Sequence, residues 1–562
     1  MKRFLLIGAI LCCGTGLTNS QVPQSFLEFR QEILDDYQEF RRTILAHYAD
    51  FLEGTWHEYE SLMPAKRDET PKPIKVPNIK LSKPSTAPVK LPAPHLRPIP
   101  QQPVATQQPG GMSEPDLTSD HKNPISPLSP DVSGSLLDLP PVEVPPEAKR
   151  EVPPTIKIKP EVAKPMINVS PNIPKVPVMA EGVKMLPLLP HQEEENRTGK
   201  DVVNFYGMEI LVPEIDFKIN KTLGNAADFA RHWKLMDEQN LAERVENAIM
   251  PKIKELGLND YLTYEFLSAY MDSKFPDAGV SPKMSAVHYL LANQGYDVRI
   301  AVTTGTGDPV ILMPCEQMIY GNSYMTIGGR NYFLMAPPGV NLNGVRLATC
   351  DLPKAAKNGK TVDLRIDGLN LPMKERPFKI SQGGVTLTGT LNENLMPIVY
   401  KYPQMDTQGF AVSVLDKNLR KDLVSQIKRQ LGDKDKLTAT NELLRFMQFG
   451  FDYATDDELH GFEKPYFLEE NFYYPKNDCE DRAIFYTYML WNALGIDNQL
   501  LAFPGHESAS VSIPGASIRG TSYENNGKLY YISDPTYIGS TTGQCMRQYE
   551  TTSPTIDHTY SH

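Results

Sequence analysis

Tyr474-Pro475-Lys476-Asn477-Asp478-Cys479-Glu480-Asp481-Arg482-Ala483 is the stretch on which the reading of this chain turns. Pro475 and Asn477 mark a loop. From Cys479 onward, Ala483, Tyr486, Leu490 and Ala493 recur at helical spacing as far as Gly495, a C-cap residue. The pattern predicts a helix with Cys479 at its N-terminus. Unpaired backbone N–H groups and the helix dipole favour an anion there, so the thiol is expected to shift toward the thiolate. Glu480 and Asp481 suit a first helical turn, but their charge opposes that shift unless they point away from the sulfur.

A thiolate nucleophile needs a base beside it, and the base needs an orienting acceptor. Downstream, Gln499 to Phe503 reads as a strand and Pro504-Gly505-His506 opens another. Gly527-Lys528-Leu529-Tyr530-Tyr531-Ile532-Ser533-Asp534-Pro535-Thr536 then reads as a hairpin strand ending at Asp534. Antiparallel strands packed on the helix would bring His506 and Asp534 into register behind the sulfur. This order, with Asp478-Cys479-Glu480-Asp481 and the following Ala483, His506 after its glycine, and Asp534-Pro535-Thr536, resembles the transglutaminase-like superfamily, a papain-like fold. The resemblance covers roughly residues 420 to 540. It implies Cys479 as nucleophile, His506 as general base and then acid, Asp534 as the group holding the imidazole, and the Cys479 N–H in the oxyanion hole. Gln448, in Phe446-Met447-Gln448-Phe449, is the candidate side-chain donor to the oxyanion. Many members carry an aromatic residue after the histidine; this chain has Glu507-Ser508-Ala509. The Asp-Cys-Glu-Asp cluster also resembles the transglutaminase-like cysteine proteinases of bacteria, some of which bind calcium beside the nucleophile. Asp478 and Glu480 are hard oxygen ligands of that type. No other cofactor is expected, and the cysteine spacings match no zinc motif.

Taken singly, each residue has a plainer reading. A buried cysteine is usually core, a lone histidine structural, Gln448 a helix-surface residue, and Asp534 before Pro535 a turn cap. Three of them in family order point to chemistry.

A weaker echo lies upstream. Gly279 to Gly295 parallels Cys479 to Gly495 at an offset of 200, and Gly329 to Pro337 parallels Gly527 to Pro535. Gly279 then faces Cys479 and Ala336 faces Asp534, and no histidine lies between Gly295 and Tyr332. Residues 199–353 are therefore expected to form an α+β domain, a degenerate transglutaminase-like copy, with chance similarity of two helix-strand units as the alternative. Residues 354–416 read as a small, sandwich-like β module, with alternating runs at Val385 to Leu391 and Met396 to Tyr400. Residues 417–562 form the catalytic domain of this α+β architecture.

Of the 49 prolines, 29 fall between Pro64 and Pro190. A segment so poor in aromatics cannot offset its ordering entropy, so 64–198 is expected to be an extended, disordered tether. Before it, Phe26, Tyr37, Tyr48 and Tyr59 recur every eleven residues, as do Phe29, Phe40, Phe51 and Leu62. This predicts an amphipathic helix over 21–63 whose aromatic stripe is covered by its own protein, by self-association or by a partner.

Residues 1–20 read as an export signal, with Lys2 and Arg3, an apolar run from Phe4 to Cys13, and Thr18-Asn19-Ser20 before the cut. The expected location is periplasmic or extracellular. A lipoprotein would use Cys12 or Cys13, but Leu11 or Cys12 then stands where that signal wants a small residue. In an oxidising compartment Cys315 and Cys350 are the plausible disulfide pair. A mild acidic excess, 68 acidic against 57 basic side chains, argues against nucleic acid as partner, and no segment is apolar enough to span a membrane.

Together these features predict an exported cysteine peptidase or amidase working through a thioester on a protein or peptide, with transamidation if an amine replaces water. The alternative is a silent scaffold that binds through the N-terminal helix and upstream domain.

Overall fold

The computed structural model describes residues 48–65, 95–96, 197–342, 344–350 and 359–562. The expected signal segment, the aromatic repeat before Tyr48 and nearly all of the proline-rich stretch lie outside these residues. The described part is α+β, and its residues belong to one compact unit.

Among the described residues the N-terminal segment is not one helix. Helix α1 (Tyr48–Glu53) stops before Gly54, and Trp56–Glu60 forms strand β1. Trp56-His57-Glu58-Tyr59-Glu60 pairs antiparallel with a strand at 346–350, and its two aromatic residues, three apart, pack on different hydrophobic clusters from opposite faces. The eleven-residue recurrence of Tyr48 with Tyr59, and of Phe51 with Leu62, therefore spans a helix and a strand. Tyr48 stacks on Trp233 at 4.2 Å, and Tyr48 and Leu52 are buried. This much of the stripe is covered by the chain itself. His95–Leu96 forms strand β2, paired with Thr555–Ile556.

After the hairpin of β3 (Lys200–Phe205) and β4 (Met208–Pro213) come five helices: α2 (Ala226–Glu238), α3 (Leu241–Ala248), α4 (Met250–Glu255), α5 (Asp260–Lys274) and α6 (Val280–Asn293). Strands β5 (Arg299–Thr303), β6 (Pro309–Met313), β7 (Tyr324–Ile327), β8 (Arg330–Met335) and β9 (Arg346–Cys350) complete the first sheet, in the order β1-β9-β5-β6-β8-β7. This sheet curls until Leu62, just past β1, bridges Tyr324 in the opposite edge strand. Its side chains alternate between two cores. Ala301, Val310, Leu312, Met325, Tyr332, Leu334 and Leu347 fill one face, while Ile300, Ile311, Met313, Phe333 and Met335 join the main core. Cys315 and Cys350 are free thiols, contrary to the expected pair. Cys350 ends β9 and Cys315 lies just past the end of β6, and β5 runs between those two strands, so about 10 Å separates the two lines of backbone, beyond disulfide reach.

The described residues of the segment 354–416, from 359 on, do not form a sandwich. They hold one hairpin, β10 (Glu375–Gln382) and β11 (Val385–Asn392), then α7 (Met396–Tyr400) and α8 (Thr407–Val412). The apolar run at 396–400 turns helical because the Asn392 side chain caps a 3-10 turn and Pro397 sits in the first helical turn. Two strands alone are marginal. Here α9 (Lys417–Leu431) substitutes for a third. Gln426 and Gln430 bond the N–H and C=O of Thr388 and Thr386 on β11, so residues four apart on the helix match residues two apart on the strand.

Helix α10 (Lys436–Gly450), the short pair β12 (Asp452–Tyr453) and β13 (Lys476–Asn477), and α11 (Asp456–Leu459) lead to α12 (Cys479–Leu494). Strands β14 (Asp497–Phe503), β15 (His506–Ser512), β16 (Ser522–Asn525), β17 (Lys528–Ile532) and β18 (Thr555–Tyr560) follow, ordered β16-β17-β15-β14-β18-β2. Counted from the helix that precedes each, both sheets run third, fourth, second, first, fifth, with an N-terminal strand on the outer edge. Registers agree as well. Ser510 pairs with Ile532 where Leu312 pairs with Leu334. The loop Thr304–Gly307 is two residues longer than Pro504–Gly505, which changes the offset between the halves from 200 to 198. Among the described residues no helix is long and apolar enough to cross a membrane.

Candidate active site

Cys479 is the first residue of α12. Asp478 caps the helix, and its N–H donates to Asp481 Oδ2 at 3.2 Å. Asp481 also accepts from the Tyr466 N–H at 2.7 Å, and Arg482 donates to Asn477 Oδ1 and the Phe451 carbonyl, both at 2.8 Å. These bonds anchor the turn that presents the sulfur. At the other end Gly495 adopts φ 58° as the left-handed cap the sequence predicts.

His506 opens β15, and Asp534 lies just past the end of β17. His506 Nε2–H donates to Asp534 Oδ2 at 2.8 Å. Asp534 Oδ1 accepts from the N–H groups of Thr536 and Tyr537 at 2.8 and 3.1 Å. Both lone-pair sides of the carboxylate are engaged, which fixes its plane, and in a neutral imidazole that donates from Nε2 the acceptor nitrogen is Nδ1. Tyr486 on α12 bonds Ser533 Oγ at 2.7 Å, tying the helix that begins with Cys479 to the strand end that carries Asp534. The backbone N–H of Glu507, next to His506, bonds the Cys479 sulfur. Cys479, His506 and Asp534 are thus brought to one place. They are 1%, 5% and 2% exposed, so the site is closed to solvent in this conformation.

The thiol departs from expectation. Cys479 Sγ donates to Glu480 Oε2 at 3.2 Å, so Glu480 does not point away. Burial, then the charges of Glu480 and Asp478, push the thiol well above its ordinary range and outweigh the helix N-terminus.

Gln448 is not an oxyanion donor. It is buried on α10, and its amide nitrogen faces the carbonyls of Asp534, Tyr537 and Ser540 and the Ser540 hydroxyl at 2.9 to 3.3 Å. Its oxygen accepts from the Gly539 N–H at 3.1 Å. With its donors committed to the 534–540 turn, it cannot serve an oxyanion at Cys479; it clamps the turn that begins with Asp534.

Beside the sulfur lies a buried acidic cluster. Ligand oxygens of Asp456, Glu463 and Glu480 lie within 4.8 Å of one another, as do ligand atoms of Asp478, Cys479 and Glu480. Asp478 Oδ1 and Glu480 Oε1 are buried without a hydrogen-bond partner. Burial, then the neighbouring Asp481 and Glu480, push Asp456 up to about 10, and Asp478 is raised well above the carboxylate range for similar reasons. Lys464 is committed to Glu470. Unpaired buried carboxylate oxygens around one point are what a hard divalent cation takes as ligands, and these residues fit calcium. Asp456 and Glu463 were not legible as members, because only the fold of 456–464 brings them to Glu480. Tyr549, whose ring lies on His506, was not singled out either.

At the corresponding upstream positions stand Gly279, Asp308 and Ala336. Gly279 caps α6, and Asp308 matches His506 once the longer hairpin loop is counted. The thiol, the imidazole and the orienting carboxylate are each replaced there, by a glycine, an aspartate and an alanine. No family model, curated protein sequence or solved structure matches the chain.

Proposed function

We propose that residues 417–562 are a papain-like, transglutaminase-type domain of an exported protein, and that Cys479, His506 and Asp534 catalyse acyl transfer on a protein or peptide. The observation that carries this is the buried His506–Asp534 pair at 2.8 Å beside a cysteine at a helix N-terminus. In the reaction His506 Nδ1 takes the thiol proton and the sulfur attacks the acyl carbon. The resulting oxyanion accepts from the Cys479 backbone N–H, and the amine leaves with the proton held by His506. Water attacks the thioester to give hydrolysis, and an amine gives transamidation. Calcium, implied by the likeness to the bacterial proteinases, would be held by Asp456, Glu463, Asp478 and Glu480 in this reading and would supply positive charge beside the thiol. The matching strand order and register of the upstream sheet support residues 199–350 as a second copy that has lost its chemistry.

A silent scaffold is the second reading, and the closed site with its raised thiol favours it. Turnover of p-nitrophenyl acetate with calcium present separates the two. Acyl transfer predicts thiol-dependent hydrolysis that falls to background in Cys479→Ala and by about 10²–10⁴-fold in His506→Ala. Equal rates in the unmodified protein and Cys479→Ala would leave the scaffold.

A further inference from the structure

The imidazole of His506 has one side-chain hydrogen bond, from Nε2 to Asp534. A single bond fixes a point on the ring but not its plane, since rotation about the Cβ–Cγ bond of histidine is soft. A base that must face a sulfur needs a second constraint.

That constraint is Tyr549, at the end of the 3-10 turn Arg547–Tyr549. Its ring lies almost parallel to the imidazole, 13° between planes and 5.4 Å between centroids. Phe503 backs the phenol ring at 4.8 Å, and Leu501, Tyr530, Ile532 and Ile556 complete the apolar cluster around it. The phenol hydroxyl donates to the Pro504 carbonyl at 3.2 Å, in the two-residue turn from which His506 starts. Tyr549 also lies within electrostatic reach of both Cys479 and Asp534. It is buried, so it keeps water off this side of the pair. Its π face meets the ring that becomes imidazolium when the thiol proton moves.

We propose that Tyr549 is the positioning residue of the candidate general base: its ring sets the plane of His506 and shields the His506–Asp534 pair. The proposal rests on the acyl-transfer reading above. Its test uses the full chain with calcium, p-nitrophenyl acetate as acyl probe, and the proton resonance of His506 Nε2–H. Tyr549→Leu, which removes the ring, should lower kcat on the order of ten- to a hundredfold with KM changed less than about twofold. Tyr549→Phe, which keeps the ring and loses only the bond to Pro504, should stay within about threefold of the unmodified protein. Full turnover in Tyr549→Leu, or equal loss in both variants, overturns the proposal. If Tyr549→Leu does not fold, Tyr549→Met replaces it with the same expectation. If the unmodified protein does not turn the ester over, the acyl-transfer reading fails and the resonance decides this one. It should persist in Tyr549→Phe and be lost to exchange in the ring-deleted variant; persistence in both overturns the proposal.

Discussion

At the residue scale the decisive balance is between a helix terminus and two carboxylates. A helix N-terminus contributes on the order of 1 kcal/mol to an anion. Burial together with Glu480 and Asp478 works against it and prevails, so Cys479 is held as a thiol. Positive charge among Asp456, Glu463, Asp478 and Glu480 would reverse that balance. Millimolar calcium should therefore speed iodoacetamide alkylation of Cys479 at neutral pH, read by mass spectrometry, and Asp456→Asn should remove most of the acceleration. Alkylation that is indifferent to calcium would mean the cluster holds protons rather than a cation. The three ordered residues were legible because each sits at a junction the sequence marks: a loop before a helix, a glycine before a strand, a strand end before a proline. Gln448 and Tyr549 were not. Which face of α10 meets the 534–540 turn, and which ring lies on His506, depend on packing between segments far apart in the chain.

At the element scale, regular elements with clean periodicity were read well. Residues 479–494 are a helix, and the strands at 497–503, 506–512 and 528–532 fall where the flanking turn residues put them. The two misreadings have different causes. Met396–Tyr400 alternates like a strand, but a cap and a proline in the first turn make it helix. Trp56–Glu60 fits an eleven-residue helical repeat, but an open sheet edge makes it strand. Local pattern lost to local capping in one case and to long-range pairing in the other. Tyr48→Ala should cost about 3 kcal/mol in urea unfolding, because the ring fills a fully buried place against Trp233. Gln448→Ala should cost about 1–3 kcal/mol by leaving several turn carbonyls unpaired, and should slow ester turnover without changing the state of the thiol. An effect on alkylation of Cys479 as large as that on turnover would tie Gln448 to the sulfur instead.

At the scale of the whole molecule, two sheets share one strand order while only the second carries the Cys479, His506 and Asp534 constellation. The upstream echo was faint in sequence because the three site positions carry different residues; the two sheets agree more closely in strand order and register. Raised carboxylates also leave a mark on stability. Asp456, Asp478 and Asp481 hold protons in the folded chain at pH values where the unfolded chain has lost them. Their contribution is complete below about pH 4 and is lost as pH rises toward about 10, the value to which Asp456 is pushed. Carboxylates held low, such as Asp363 and Asp497, act in the opposite sense only in acid. Without calcium the thermal midpoint should therefore fall between about pH 5 and about pH 9, and calcium should flatten the decline. A midpoint that rises over that range would contradict the buried cluster.

The most direct test of the whole account is the mass of the protein after brief exposure to p-nitrophenyl acetate with calcium, quenched in acid. Acyl transfer predicts a single acetyl adduct that maps to Cys479, is absent from Cys479→Ala and is strongly reduced in His506→Ala. No adduct, or one that maps elsewhere and survives Cys479→Ala, would contradict it.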